Sequence, residues 1–202
     1  MDRKTHWQGV YSSKSDDELS WHQPDPQPSL NLIIEASGGT GRVIDVGGGS
    51  SSLAEKLLDN GFKTVAVLDI STAALDRARL KLGARTGVEW IVADVTTAGG
   101  RGEFDVWHDR AVFHFLTDPG DRAKYVQLVL NTLVVGGHLI MGTFALDGPA
   151  RCSGLDVVRY DASSLGAVLG ERFELVRELR HIHPAPGGKP QAFSYGLFRR
   201  RQ

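Results

Sequence analysis

The stretch Arg42-Val43-Ile44-Asp45-Val46-Gly47-Gly48-Gly49-Ser50-Ser51-Ser52-Leu53 decides the fold. Its first five residues read as a buried parallel strand, its Gly/Ser centre as a tight turn, and Ser50 or Ser51 as the N-cap of a helix over 51–60. Such a turn cradles a small ligand. Glycine lets the backbone approach where a Cβ would collide, and the free N–H groups of a helix start favour a carboxylate or phosphate. A dinucleotide site wants Gly-x-Gly-x-x-Gly; Gly47 and Gly49 fit its first two glycines and the third falls on Ser52.

Working outward, the apolar run Thr64-Val65-Ala66-Val67-Leu68 ends in Asp69, with Ile70 behind it, 20 residues beyond Gly49. A carboxylate at that strand tip accepts hydrogen bonds from both ribose hydroxyls. The next run, Val88 to Val92, ends in Ala93-Asp94-Val95, where a second carboxylate meets an adenine amino group. Three strand tips then point at one adenosine-containing ligand.

These residues resemble the class I S-adenosylmethionine-dependent methyltransferase family over roughly residues 40–145. The matching pieces are Val43 to Gly49 as glycine loop, Asp69 as ribose acid, Asp94 as adenine acid, Asp105 to Arg110 as fourth strand, and Leu133-Val134-Val135-Gly136-Gly137 as the turn before the fifth. In that family the loop meets the methionine part of the cofactor, which carries no phosphate, so the third dinucleotide glycine is not required. The chain departs from the pattern at Ser51, where many members have Gly, and at Val135, where many have Pro. The resemblance implies S-adenosylmethionine as cofactor, S-adenosylhomocysteine as product, and Asp45, Gly47, Gly48, Gly49, Asp69, Ile70, Asp94, Val95 and Asp109 around it.

Alternation of strands (42–46, 64–69, 88–93, 103–108) with helices (51–60, 72–82) predicts a parallel sheet covered on both faces. Helices over 121–133 and 162–169 and strands over 139–144, 173–179 and 192–198 complete it. The last two strands, joined by a turn region at 183–188, follow without an intervening helix and are antiparallel. The expected fold is α/β: a Rossmann-like, seven-stranded, mostly parallel sheet with a C-terminal antiparallel hairpin. One domain accounts for all 202 residues, with 1–40 as an N-terminal cap, 41–145 as cofactor-binding core and 146–202 as the acceptor side. In the cap, Trp7 and Tyr11 share a helix face, and with Trp21 they either staple the segment to the core or form a lid over the cofactor.

A formal net charge of −1 provides no global field for nucleic acid, and Arg199-Arg200-Arg201 reads as a solvated tail. The single cysteine suits a reducing compartment, and neither a membrane span nor a signal peptide is visible; the expectation is a cytoplasmic monomer or homodimer without membrane partners. His181 and His183 lack further ligands in spacing, so no metal is expected.

In an open α/β sheet, ligands lie beyond the C-terminal strand ends where chain order reverses. That puts the end of strand four, Trp107 to Leu116, beside the transferable methyl. Asp109 accepts a proton or cofactor hydrogen bond, Arg110 stabilises an anionic nucleophile, and His108 or His114 serves as general base. Asp109, Arg110 and His114 are the catalytic candidates; His108, Arg110, Tyr125 and Cys152 are the acceptor-pocket candidates. The competing reading is an Asp109–Arg110 charge network, with Arg122 and Tyr125, that pins the following helix. Asp109-Arg110-Ala111, with Asp121-Arg122 and Tyr125 downstream, looks like the Asp-Arg-Gly pattern of thiopurine and related chalcogen methyltransferases. The expected acceptor is therefore a small thiol or chalcogen, with protein lysine as alternative. A nicotinamide-dependent oxidoreductase or a non-catalytic binding protein are the readings of another class; Ser52 and the lack of a Tyr-x-x-x-Lys pair argue against the former.

Overall fold

The computed structural model describes residues 2–100, 102–186 and 188–202. Met1 of the cap, Arg101 of the core and Gly187 of the 183–188 turn lie outside the described residues. Nine strands and six helices follow in the order α1 (Arg3–Ser13), α2 (Ser29–Ser37), β1 (Val43–Val46), α3 (Leu53–Asp59), β2 (Val65–Asp69), α4 (Thr72–Leu82), β3 (Val88–Val92), β4 (Phe104–Arg110), α5 (Pro119–Thr132), β5 (Leu133–Phe144), β6 (Arg151–Cys152), β7 (Leu155–Asp156), α6 (Ala162–Leu169), β8 (Phe173–His183) and β9 (Gln191–Arg200) among the described residues.

Seven strands form one sheet in the order β3-β2-β1-β4-β5-β9-β8. The first five run parallel, and β9 pairs antiparallel with both β5 and β8. Chain order reverses between β1 and β4, so the glycine turn and the end of β4 stand side by side. Period-two alternation separates two cores. Ile44, Val46, Trp107 and Leu139 face α5 and α6, whereas Val43, Val65, Val106 and Ile140 face the layer of α2, α3 and α4. Along α5, buried Tyr125, Leu128, Val129 and Thr132 recur at helical spacing, and Asp118 caps the helix by accepting the Asp121 N–H at 3.1 Å.

Several boundaries differ from the sequence reading. The α3 N-cap is Ser52, not Ser50 or Ser51; the Ser51 hydroxyl instead accepts the Leu53 N–H at 3.1 Å. β5 begins at Leu133, because that residue already pairs with Phe104, ahead of an irregularity between Phe104 and Val106. A small hairpin, β6–β7, interrupts the loop after β5; Ser153 and Gly154 form its turn with φ of 49° and 79°, the left-handed backbone that a two-residue hairpin requires. No helix among the described residues is long and apolar enough to cross a membrane.

Candidate functional site

The glycine turn leaves β1 with Gly47 at φ 68° and Gly49 at φ 51°. Gly47 N–H donates to the Leu68 carbonyl at 2.6 Å, and a Cβ built on Gly47 would drive into Cγ2 of Val112. On Gly48 a Cβ would meet Asp45 Oδ2 and Val67 Cγ1 at 2.6 Å; on Gly49 it would meet the Tyr11 hydroxyl at 2.5 Å. The turn is thus a backbone-lined cradle that side chains would fill. Gly47→Ala combines a left-handed backbone with overpacking and is expected to destabilise the protein by about 1–3 kcal/mol. An unchanged denaturant midpoint would show that Val112 yields freely.

Beside the turn, a cleft of about 830 Å³ opens at the strand tips. Asp69, buried at the end of β2, accepts the Ser71 N–H at 2.8 Å. Burial, together with the nearby charge of Asp45, raises its carboxyl to about 6 against the lowering effect of backbone N–H groups of Ser71, Gly49 and Ile70. Asp94, past β3, accepts the Thr96 N–H and hydroxyl at 2.8 and 2.7 Å through Oδ1, which braces its loop. Ile70 and Val95 line the cleft beside them.

The cap closes one side. Trp7 stacks edge-on to Trp21 and Phe115 at 5.6 and 5.0 Å, and Trp21 Nε1 donates to the Tyr11 hydroxyl at 3.3 Å. All three cap aromatics line the cleft. The same segment is bound to the core: Gln8 Oε1 accepts the Ser71 hydroxyl at 3.1 Å, Ser50 donates its hydroxyl to Asp16 at 2.6 Å, and Arg3 pairs with Asp121. Stapling and walling are therefore one arrangement.

Of the strand-four residues, Arg110 alone joins Gly47, Asp69, Asp94 and Cys152 on the cleft. Alternation along β4 explains why. Even-numbered His108 and Arg110 turn to the α2 face, odd-numbered Asp109 to the α5 face. Asp109 is fully buried there, accepting the N–H groups of Val112 (2.9 Å) and Phe113 (3.1 Å) and the hydroxyl of Tyr125. Tyr125 in turn accepts the Trp107 Nε1–H at 2.9 Å. The structure thus places Asp109 and Tyr125 on the α5 side of the sheet, outside the cleft lining. Of the competing charge network, the Tyr125–Asp109 bond is present, whereas Arg110 and Arg122 both donate to backbone carbonyls and not to Asp109.

His114 is not among the residues that line the cleft. It lies buried with ring centroids 4.4 Å from Phe115 and 4.8 Å from Phe144, its Nδ1 accepting the Phe144 N–H at 3.4 Å. Burial, reinforced by the charge of Arg110, pushes its pKa down to about 3, so it is neutral. His108 sits between Asp45 (Nδ1 to Oδ1, 2.7 Å) and the Ser29 hydroxyl (Nε2, 2.8 Å), beside a second cavity of about 530 Å³ that also takes in Gly48 and shares Gly47, Tyr11, Trp21 and Arg110 with the first. Ser29 was not visible in the sequence as a partner of His108. Nor were Phe144 and Phe193, which register opposite each other on β5 and β9 and line the cleft together. Ala111 holds φ 71°, at the position where the resembled Asp-Arg-Gly pattern has glycine.

Comparison with known proteins bears on this geometry. Residues 43–137 match the family model described as a methyltransferase domain. Nodulation protein S of Rhizobium tropici is 28% identical over 112 residues, 55% of this chain and 47% of that protein. Malonyl-[acyl-carrier protein] O-methyltransferase 1 of Ilyobacter polytropus is 24% identical over 133 residues, 65% of this chain and 48% of that protein. The chain thus spans about half the length of the curated relatives it matches. The N-methyltransferase NodS from Bradyrhizobium japonicum, solved with S-adenosyl-L-homocysteine, shares the fold at TM-score 0.74 and 18% identity, with 100% of both chains covered. A structure from work on the conversion of a disulfide bond into a thioacetal group during echinomycin biosynthesis aligns at TM-score 0.81 and 20% identity, covering 99% of this chain and 92% of that one. Residues 43–137 thus match a methyltransferase domain, carried on this sheet order and this glycine turn, in a fold shared with solved methyltransferases.

Proposed function

We propose that the chain transfers the methyl group of S-adenosylmethionine to a small nucleophile, a thiol or related chalcogen, held beside Arg110 in the cleft. The observation that carries this reading is the cleft's lining: Gly47, Asp69 and Asp94 share it with the aromatic side chains, Arg110 and Cys152. When bound, S-adenosylmethionine supplies an electrophilic methyl on a sulfonium sulfur, open to in-line displacement. The glycine turn admits its methionine part, Asp69 accepts from the ribose hydroxyls, and Asp94 accepts from the adenine amino group. Trp7 and Trp21 exclude water and offer π faces to the cation. Much of the barrier is then lowered by alignment in a dry site.

Cys152 reports what this cleft does to a thiol. Burial drives it up to about 11, while the charge of Arg110 pulls the other way. An acceptor thiol in the same wall needs that pull to become a thiolate. The same charge disfavours a lysine ammonium and so favours the neutral, nucleophilic amine, which keeps protein lysine as the alternative acceptor. The test supplies labelled methyl donor with aromatic thiols and, separately, with peptide arrays. Label is expected in the thiols; labelled peptides beside unmodified thiols would overturn the acceptor assignment.

A further inference from the structure

Charged side chains of both signs line the cleft, among them Arg3, which Asp121 holds. Against Asp69 and Asp94 stands Arg110, whose Nη1 donates to the Trp21 carbonyl at 2.9 Å and whose Cζ lies 4.5 Å from the centre of the Phe193 ring. Its Nε and Nη2 are buried without a hydrogen-bond partner among the described residues. No carboxylate pairs with it among those residues. The titratable groups that feel it are His114 after β4, Cys152 on β6, and His181 and His183 on β8, all without negative charge: its field adds to burial in keeping the three histidines neutral. Asp109, its chain neighbour, faces the other side of the sheet and is occupied by Tyr125 and the following turn.

A half-buried guanidinium without a counter-charge is costly, and two buried nitrogens with unmade hydrogen bonds add to that cost. The covalent geometry of arginine makes the unpaired edge selective. Nε–H and the adjacent Nη2–H point the same way, spaced to meet the two oxygens of one carboxylate. Nη1, on the opposite side, is the nitrogen that Trp21 holds, so the group is anchored with its two-donor edge unspent.

We propose that this edge binds the carboxylate of a small molecule, in a pocket whose aromatic wall of Phe144, Phe193 and Trp21 takes an apolar body. Resting on the proposed methyl transfer, the carboxylate comes from an acceptor that bears it beside the nucleophilic atom. The cofactor's methionine end is the other source of the same chemistry, because Arg110 also borders the second cavity beside the glycine turn.

The experiment is calorimetric, on wild type, Arg110→Gln and Arg110→Lys, with melting curves to confirm folding. Benzoate and benzamide, equal in shape and different in charge, are titrated into the full chain with and without S-adenosylhomocysteine. S-adenosylhomocysteine and its analogue lacking the carboxylate are titrated separately. A preference for benzoate of about tenfold or more that Arg110→Gln abolishes assigns the edge to the acceptor. The same preference confined to the nucleoside pair assigns it to the cofactor. Arg110→Lys, which keeps the charge and loses the fork, is expected to lose most of either preference. Equal binding within both pairs, or a preference that survives Arg110→Gln, overturns the proposal. A wild type that ignores S-adenosylhomocysteine sinks the methyl-transfer reading alone, since the benzoate pair is still decided on the chain by itself.

Discussion

Asp109→Ala is expected to lower the stability of the fold by roughly 3 kcal/mol or more, seen as a fall in denaturant midpoint at unchanged slope. The carboxylate is fully buried and satisfies three donors: the N–H groups of Val112 and Phe113 and the Tyr125 hydroxyl. Each buried donor left unsatisfied costs about 1–3 kcal/mol. The turn at 112–115 carries Val112 against Gly47 and Phe115 against Trp7, so its loosening also reaches the cleft. Burial raises the Asp109 carboxyl to about 6, above its ordinary 3.8. A raised carboxyl favours the folded state fully below 3.8, and that contribution is lost as pH rises through about 6. The stability advantage of the wild type over Asp109→Asn is therefore expected to shrink across that window. A fully stable Asp109→Ala with abolished turnover would contradict this and return Asp109 to the reacting groups.

Asp69→Ala is expected to weaken S-adenosylhomocysteine binding by roughly 1.5–3 kcal/mol, about 10- to 150-fold, the range for hydrogen bonds to a charged group. The ionised carboxylate is the form that accepts from ribose, and burial holds its pKa at about 6. Affinity in the wild type should thus fall as pH drops below about 6 and level off above it, whereas the variant should lack this limb. Unchanged affinity in Asp69→Ala, or a wild-type profile flat through that pH range, would remove the ribose assignment.

The sheet was legible in the sequence because short apolar runs and helical spacings recur from Val43 onward. The place of Asp69 and Asp94 was readable because strand ends in a parallel sheet share one edge. The end of β4 was harder. Asp109 and Arg110 are adjacent and both charged, yet they face opposite sides of the sheet, and only the packing of Tyr125 from α5 and of Trp21 from the cap reveals which faces the cleft. The surroundings of His114 were not readable either: a histidine near a strand tip is reactive only if water or ligand reaches it, and here Phe115 and Phe144 pack against it. The Phe144–Phe193 pair was beyond reach, since it depends on the register of β9 along β5. Ser29 met His108 through helix packing that no local pattern encodes.

The most direct measurement is a calorimetric titration of the wild-type chain with S-adenosylhomocysteine, with NADH as control. One-site binding of S-adenosylhomocysteine at micromolar Kd and none of NADH is the predicted result. Binding of NADH with S-adenosylhomocysteine excluded, or no binding of either, would contradict the account and leave only its fold standing.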